Sequence, residues 1–169
     1  MKKMKTLLVA LAIFAGATSF VNAQSKIAHI NAQELIEAMP EFKAAQTSLD
    51  KVQKTYDTEI KSMLKELDTK AKLYDSEADS KTDEENQKRV LEIQGMQDNV
   101  QAYRQQALQD LEKKKGDVFK PILEKAQNAI QKVGRAQGFQ YVLDSTTGSG
   151  IILADGKDLM ADVKKELGF

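Results

Sequence analysis

What most constrains this chain is the stretch 41–136, which holds one proline, Pro121, and one lapse in its apolar pattern. In its first part apolar side chains recur at steps of three and four: Leu49, Val52, Tyr56, Ile60, Met63, Leu67, Ala71, Tyr74. The second part does the same more loosely, through Val90, Ile93, Met96, Val100, Tyr103, Ala107, Leu111, Val118 and Ile122. Such spacing draws a narrow apolar stripe along a helix and leaves the other faces to charge and glutamine, which is the pattern of a coiled-coil seam. Between the two parts, residues 75–85 are rich in Asp, Ser, Thr and Glu, and the stripe lapses there. Two limbs of similar length flank the lapse. The pattern therefore favours a hairpin over a continuous rod, with Thr82 and Glu85 spaced to cap the returning helix. At 1.5 Å per residue each limb reaches about 50–60 Å. A chain built this way is made for reach, and grasping or spacing fits it better than an enclosed active site.

The N-terminus has the features of an export leader. Lys2, Lys3 and Lys5 precede an apolar run, and Val21-Asn22-Ala23 sets small residues where a signal peptidase reads. Cleavage is expected after Ala23, with the mature chain exported. An uncleaved anchor is the alternative, but the run is short against the roughly 20 apolar residues of a bilayer span. With Lys2, Lys3 and Lys5 removed, 22 basic residues face 25 acidic ones, a balance that excludes nucleic acid as partner. Cysteine is absent, so no disulfide helps a chain that also lacks tryptophan.

Outside the limbs the periods change. Residues 26–31 alternate as a strand, and Asn31 with Glu34 reads as a capping box for a short helix at 32–38. Pro40 ends that helix and can open the next at its first turn. Gly95 and Gly116 soften the returning limb, and Pro121 is expected to kink it. Beyond Pro121 the apolar face widens through Ile122, Leu123, Ala126, Ala129, Ile130 and Val133, as a helix entering a body does. Gly138 is a helix terminator. Residues 139–144 and 151–153 read as two further strands, and Asp158 as the cap of a last helix, 159–167. About three short strands make a marginal sheet, which oligomerisation would remedy. The fold class is thus α+β, mostly α. A small β-sheet body (24–40 and 121–169) carries a long antiparallel helical arm (41–120), in one domain after a leader at 1–23.

Chemistry is thinly represented. His29 is the one histidine, and on a strand it reads as a packing or surface residue rather than a general base. Asp144-Ser145-Thr146-Thr147 reads as a hydrogen-bonded turn. Gly148-Ser149-Gly150 lacks the lysine and helix of a phosphate-binding loop, and Asp83-Glu84-Glu85 lacks the ligand spacing of a calcium loop. No enzyme, cofactor or metal site is expected. On the arms, Met63, Leu64, Leu67, Tyr74, Met96, Val100 and Tyr103 mostly serve the seam, yet neighbours such as Met63 and Leu64 cannot both face it. Spare apolar side chains on an arm are adaptable contacts, and these seven are the candidate binding residues of the arm.

The opening Lys26-Ile27-Ala28-His29-Ile30-Asn31, continuing through Glu34-Leu35-Ile36-Glu37-Ala38-Met39-Pro40-Glu41-Phe42-Lys43, resembles the Skp/OmpH family of periplasmic chaperones. So do Gly138-Phe139-Gln140-Tyr141-Val142-Leu143-Asp144, Gly150-Ile151-Ile152-Leu153 and the closing run 158–167. The resemblance implies a jellyfish-like homotrimer with three helical tentacles around a cavity. It implies an ATP-independent holdase that keeps unfolded outer-membrane proteins from aggregating before insertion. Ile27, Ile30, Leu35, Val142, Leu143, Ile151 and Leu153 would then build the body and its oligomer contacts. Well-known members are strongly basic, whereas this mature chain is slightly acidic. That departure disfavours lipopolysaccharide binding, leaves peripheral membrane contact open, and shifts client holding from charge toward apolar and hydrogen-bonding contacts. A structural coiled-coil spacer of the envelope is the alternative function. Gln46, Gln97 and Arg104 interrupt the seam and speak against it.

Overall fold

The computed structural model describes residues 26–169, so the leader expected at 1–23 lies outside the described residues. In order come β1 (Ile27–Ile30), α1 (Ala32–Ala38), α2 (Pro40–Glu77), a 3-10 turn (Ala78–Ser80), α3 (Asp83–Ala136), β2 (Tyr141–Asp144), β3 (Lys157–Asp158) and α4 (Met160–Leu167). The hairpin is formed by α2 and α3, of 38 and 54 residues. Its base is marked by Phe42 stacked on Phe119, with ring centroids 5.0 Å apart.

The ends of these helices follow from their residues. Pro40 opens α2 at a position where its missing N–H costs nothing. Thr82 and Glu85 form the reciprocal cap of α3: Glu85 N–H donates to the Thr82 hydroxyl at 3.3 Å, and Thr82 N–H donates to the Glu85 carboxylate at 3.2 Å. At α1 only half of the expected box forms. Asn31 accepts from Glu34 N–H at 3.0 Å, and the Glu34 carboxylate does not return the bond. Pro121 does not end α3, which runs helical through it to Ala136. The chain then turns at Gly138 with φ +79°, a conformation that favours glycine.

The sheet is parallel, ordered β2-β1-β3. Ile27 faces Tyr141 and Ile30 faces Asp144 in the first pairing, while Ala28 and His29 meet Lys157 and Asp158 in the second. The third strand is therefore not 151–153, as the aliphatic run suggested. Ile152 and Leu153 are 101% and 75% exposed in a loop, and the polar pair Lys157-Asp158 takes the edge instead. Alternation along β1 sends Ala28 and Ile30 inward and Ile27 and His29 outward. Inside, Ala28, Ile30, Leu35, Met39, Leu159 and Val163 pack with Ile122, Ala126, Ala129 and Val133 of α3 as one core. The widened face beyond Pro121 is thus the C-terminal end of α3, which enters the body. Leu123 stays outside it at 47% exposure.

Candidate interaction surfaces

The seam has the phase read from the sequence in α2, where Leu49, Val52, Tyr56, Ile60, Met63, Leu67, Ala71 and Tyr74 are all half-buried. In α3 the phase is right from Ile93 onward and wrong at Val90, which is 55% exposed. Arg89 takes that place. Its guanidinium lies 4.5 Å over the Tyr74 ring and pairs with Glu77 at 2.7 Å, so a charged residue covers apolar surface.

Polar bonds lock one side of the seam. Tyr56 donates to Asp110, Tyr103 to Glu59, and Tyr74 to Glu92 at 2.5 Å. The Lys70 ammonium also reaches Glu92, and Lys125 reaches Glu41 near the body. The bond to Glu59 pushes the Tyr103 hydroxyl up to about 12, and Asp110 and Glu92 raise Tyr56 and Tyr74 in the same way. Conversely, the bonds from Lys70 and Tyr74 hold Glu92 below the usual carboxylate range. A phenol donating to a carboxylate is stabilised as the neutral acid, and the carboxylate as the anion.

Of the seven arm residues singled out in the sequence, Met63, Leu67, Tyr74, Met96, Val100 and Tyr103 therefore face the partner helix, and Leu64 alone stands clear at 37% exposure. The apolar side chains that the arm does offer to solvent are Leu64, Leu73, Val90, Leu91 and Leu108. Adjacency carried the signal for two of them: Met63-Leu64 and Ala107-Leu108 each place one member off the seam.

In the body, Ile30 and Leu35 are 2% and 0% exposed and belong to the protomer's own core. Val142 points inward against α3. Ile27, Tyr141 and Leu143 lie together on the outward sheet face, at 43%, 63% and 37% exposure. Ile151 is half-buried and Leu153 exposed in the loop after β2. His29 ties this face together. Its Nε2–H donates to the Gly156 carbonyl at 3.2 Å, which leaves Nδ1 to accept from the Ser145 hydroxyl at 3.4 Å. Asp144 anchors the turn after β2. Burial raises its carboxyl, but bonds from the Thr146 hydroxyl and amide and from the Ala32 amide outweigh that and hold it low. Among the described residues no helix is long and apolar enough to cross a membrane.

Residues 26–167 match the model of the family described as outer membrane protein (OmpH-like). The chaperone protein Skp of Pectobacterium atrosepticum is 24% identical over 157 residues, covering 93% of this chain and 94% of its own length. A solved OmpH-like structure from Caulobacter crescentus superposes with a TM-score of 0.76 at 17% identity, over 84% of this chain and 83% of that one. At that identity the superposition speaks for the fold.

Proposed function

This chain belongs to the OmpH-like outer membrane protein family, and from that premise we propose that it is a nucleotide-independent holdase for unfolded outer-membrane proteins. The observation that carries the reading is the set of exposed aliphatic side chains, Leu64, Leu73, Val90, Leu91 and Leu108, on a hairpin whose seam is already filled. Isolated in water, such side chains stabilise nothing. Against a client's apolar residues each removes surface from water, and many weak contacts on several arms add through effective concentration. An envelope spacer has no use for them.

Copies join through the outward sheet face. Ile27, Tyr141 and Leu143, with Ile151, Ile152 and Leu153 beside them, form the patch that a lone protomer leaves wet. Three copies, the number implied by the family resemblance, would set three arms around a shared space. The leader, cleaved after Ala23, would deliver the chain to the periplasm. The mature chain's slight acidity makes apolar contact, rather than charge, the main source of holding.

The test is to dilute a urea-unfolded outer-membrane β-barrel into buffer with stoichiometric purified protein and no nucleotide, and to follow light scattering. Suppressed aggregation that persists from low to moderate salt is expected. Aggregation equal to that with an inert coiled coil would end the holdase reading. Sedimentation equilibrium measures the number of copies, and a lone protomer would end the assembly reading.

A further inference from the structure

The arm has two unlike faces, and the difference lies in where its polar bonds run. At 3.6 residues per turn, Val90, Gln94, Gln97, Gln101, Gln105 and Leu108 fall within an arc of about 80° on α3, with Val90 and Leu108 about five whole turns apart. The Glu92, Tyr103 and Asp110 side chains that bond across the hairpin lie about half a turn away, on the other side of the same helix. Near the tip the glutamine side of α3 meets Ala71 and Tyr74 of α2 and Ala78 of the 3-10 turn in an open groove of about 520 Å³ that also takes in Val90, Gln94 and Gln97. Arg104 and Asp98 border the strip and Asp75 rims the groove, while Arg89 at its floor is engaged by Glu77. All four glutamines are exposed, and none of their amides is hydrogen-bonded among the described residues.

We propose that this neutral face, Gln94, Gln97, Gln101 and Gln105 between Val90 and Leu108, is the docking surface for extended unfolded polypeptide, and that its amides bind the client's backbone; this rests on the holdase reading above. The argument is one of charge matching. An unfolded segment brings unpaired N–H and C=O groups together with apolar side chains, and both are penalised against fixed charge that must be stripped of water. A primary amide donates and accepts, as the backbone does, whereas a carboxylate only accepts and an ammonium only donates. Successive glutamines on the strip are spaced by about one helical turn, 5.4 Å, close to the roughly 6.7 Å between alternate residues of an extended chain. The mismatch prevents a fixed register, and that suits a surface meeting many sequences. The opposite face also carries two exposed amides, Asn99 and Gln106, but sets them beside Glu92, Tyr103 and Asp110, whose tyrosine–carboxylate and lysine–carboxylate bonds keep the hairpin closed.

Matched substitutions on one helix test this. Gln97→Glu/Gln101→Glu and Gln97→Lys/Gln101→Lys change the proposed face, and Asn99→Asp/Gln106→Glu and Asn99→Lys/Gln106→Lys change the opposite one. Each is titrated against a fluorophore-labelled, urea-unfolded outer-membrane β-barrel after circular dichroism confirms equal helix content. Both glutamine-face pairs are expected to weaken binding by about tenfold or more, whatever the sign introduced, since each leaves charge against unpaired backbone. The opposite-face pairs should shift it less than about twofold. Equal losses on the two faces, or a loss with one sign and a gain with the other, would overturn the proposal while leaving the holdase reading intact. An unmodified protein that binds nothing would instead sink that reading. Concentration-dependent association of the client-free protein that vanishes in the glutamine-face pairs, with client affinity unchanged, would assign the face to a second copy and refute the inference.

Discussion

Alanine at Gly134 should destabilise this protein, although the same change elsewhere on the same helix should stabilise it. In a helix interior glycine is worse than alanine by about 0.5–1 kcal/mol, because it loses more backbone freedom on folding. Gly95 and Gly116 sit in α3 with nothing within 4 Å of an added Cβ, so Gly95→Ala and Gly116→Ala should each gain roughly that amount. At Gly134 the added Cβ would stand 2.8 Å from Val142 Cγ2, well inside the roughly 3.5–4.0 Å of carbon–carbon contact. Val142 cannot swing aside easily. It is β-branched, and its strand is paired to β1 at Ala28. The overlap must therefore push β2 off α3, and overpacking of this kind costs about 1–3 kcal/mol. Set against the helical gain, a net loss of about 1–2 kcal/mol is expected in urea unfolding followed by far-UV circular dichroism. Gly134→Ala/Val142→Ala should lose less than the sum of its two single changes, because the second removes the atom struck by the first. A urea midpoint for Gly134→Ala as high as that of Gly95→Ala would show that α3 and β2 are not packed this closely, and the reasoning would fall with it.

Three further outcomes are expected. Leu35→Ala, at a position with no exposure in the core, should cost about 2–5 kcal/mol in the same assay, whereas Leu64→Ala on the arm should cost far less. Thr82→Ala removes the cap of α3 and should lower stability by about 1 kcal/mol, with amide exchange rising first near the hairpin tip. The pH dependence has two signed limbs. Tyr56, Tyr74 and Tyr103 are raised in the fold, so their contribution is complete below the ordinary phenol value near 10 and is lost as pH climbs through the folded value, about 12 for Tyr103. Glu41, Glu85 and Glu92 are lowered, so their contribution is complete above about 4.5 and fades as pH falls through their depressed values. Melting temperature against pH, with Tyr103→Phe flattening the alkaline limb, checks both signs.

The seam was legible because coiled-coil packing imposes a period that few residues can satisfy by chance. Leu49 through Tyr74 were placed correctly without any tertiary information. At Val90 the period misled, since it ranks residues by side-chain polarity. Arg89 is charged at its end but covers the Tyr74 ring with its guanidinium plane, and so displaces its apolar neighbour from the seam. The third strand failed for the opposite reason. Ile151-Ile152-Leu153 has every local feature of a strand, but the free edge of β1 is met by residues 157–158, and a two-residue polar pairing has no pattern to read. Among the candidate body residues, strand alternation separated Ile27 from Ile30 correctly. It could not tell which strand faces become a protomer's core and which are left for a neighbour. That distinction depends on where α3 and α4 pack, and Leu159 and Val163, both fully buried, gave no prior sign of their weight.

On the holdase reading, the two faces of the arm also explain how a structure this open would bind without losing its shape. A hairpin held only by an apolar stripe would compete with its own clients, since any segment that satisfied the stripe could pry the limbs apart. Here the cross-links to Glu59, Glu92 and Asp110 are directional, and a greasy client cannot replace them. Leu91 and Leu108, at 61% and 65% exposure, lie outside that lock and can bury against a client without disturbing it. Each could contribute at most about 1.5–3 kcal/mol when fully covered, and partial cover yields less. No single contact would then decide affinity, and on the holdase reading release would need no energy source, because each contact is weak. Specific affinity would require a preformed pocket of fixed shape. This arm offers replaceable side chains on a rigid edge, a solution suited to clients that share a physical state and no common sequence.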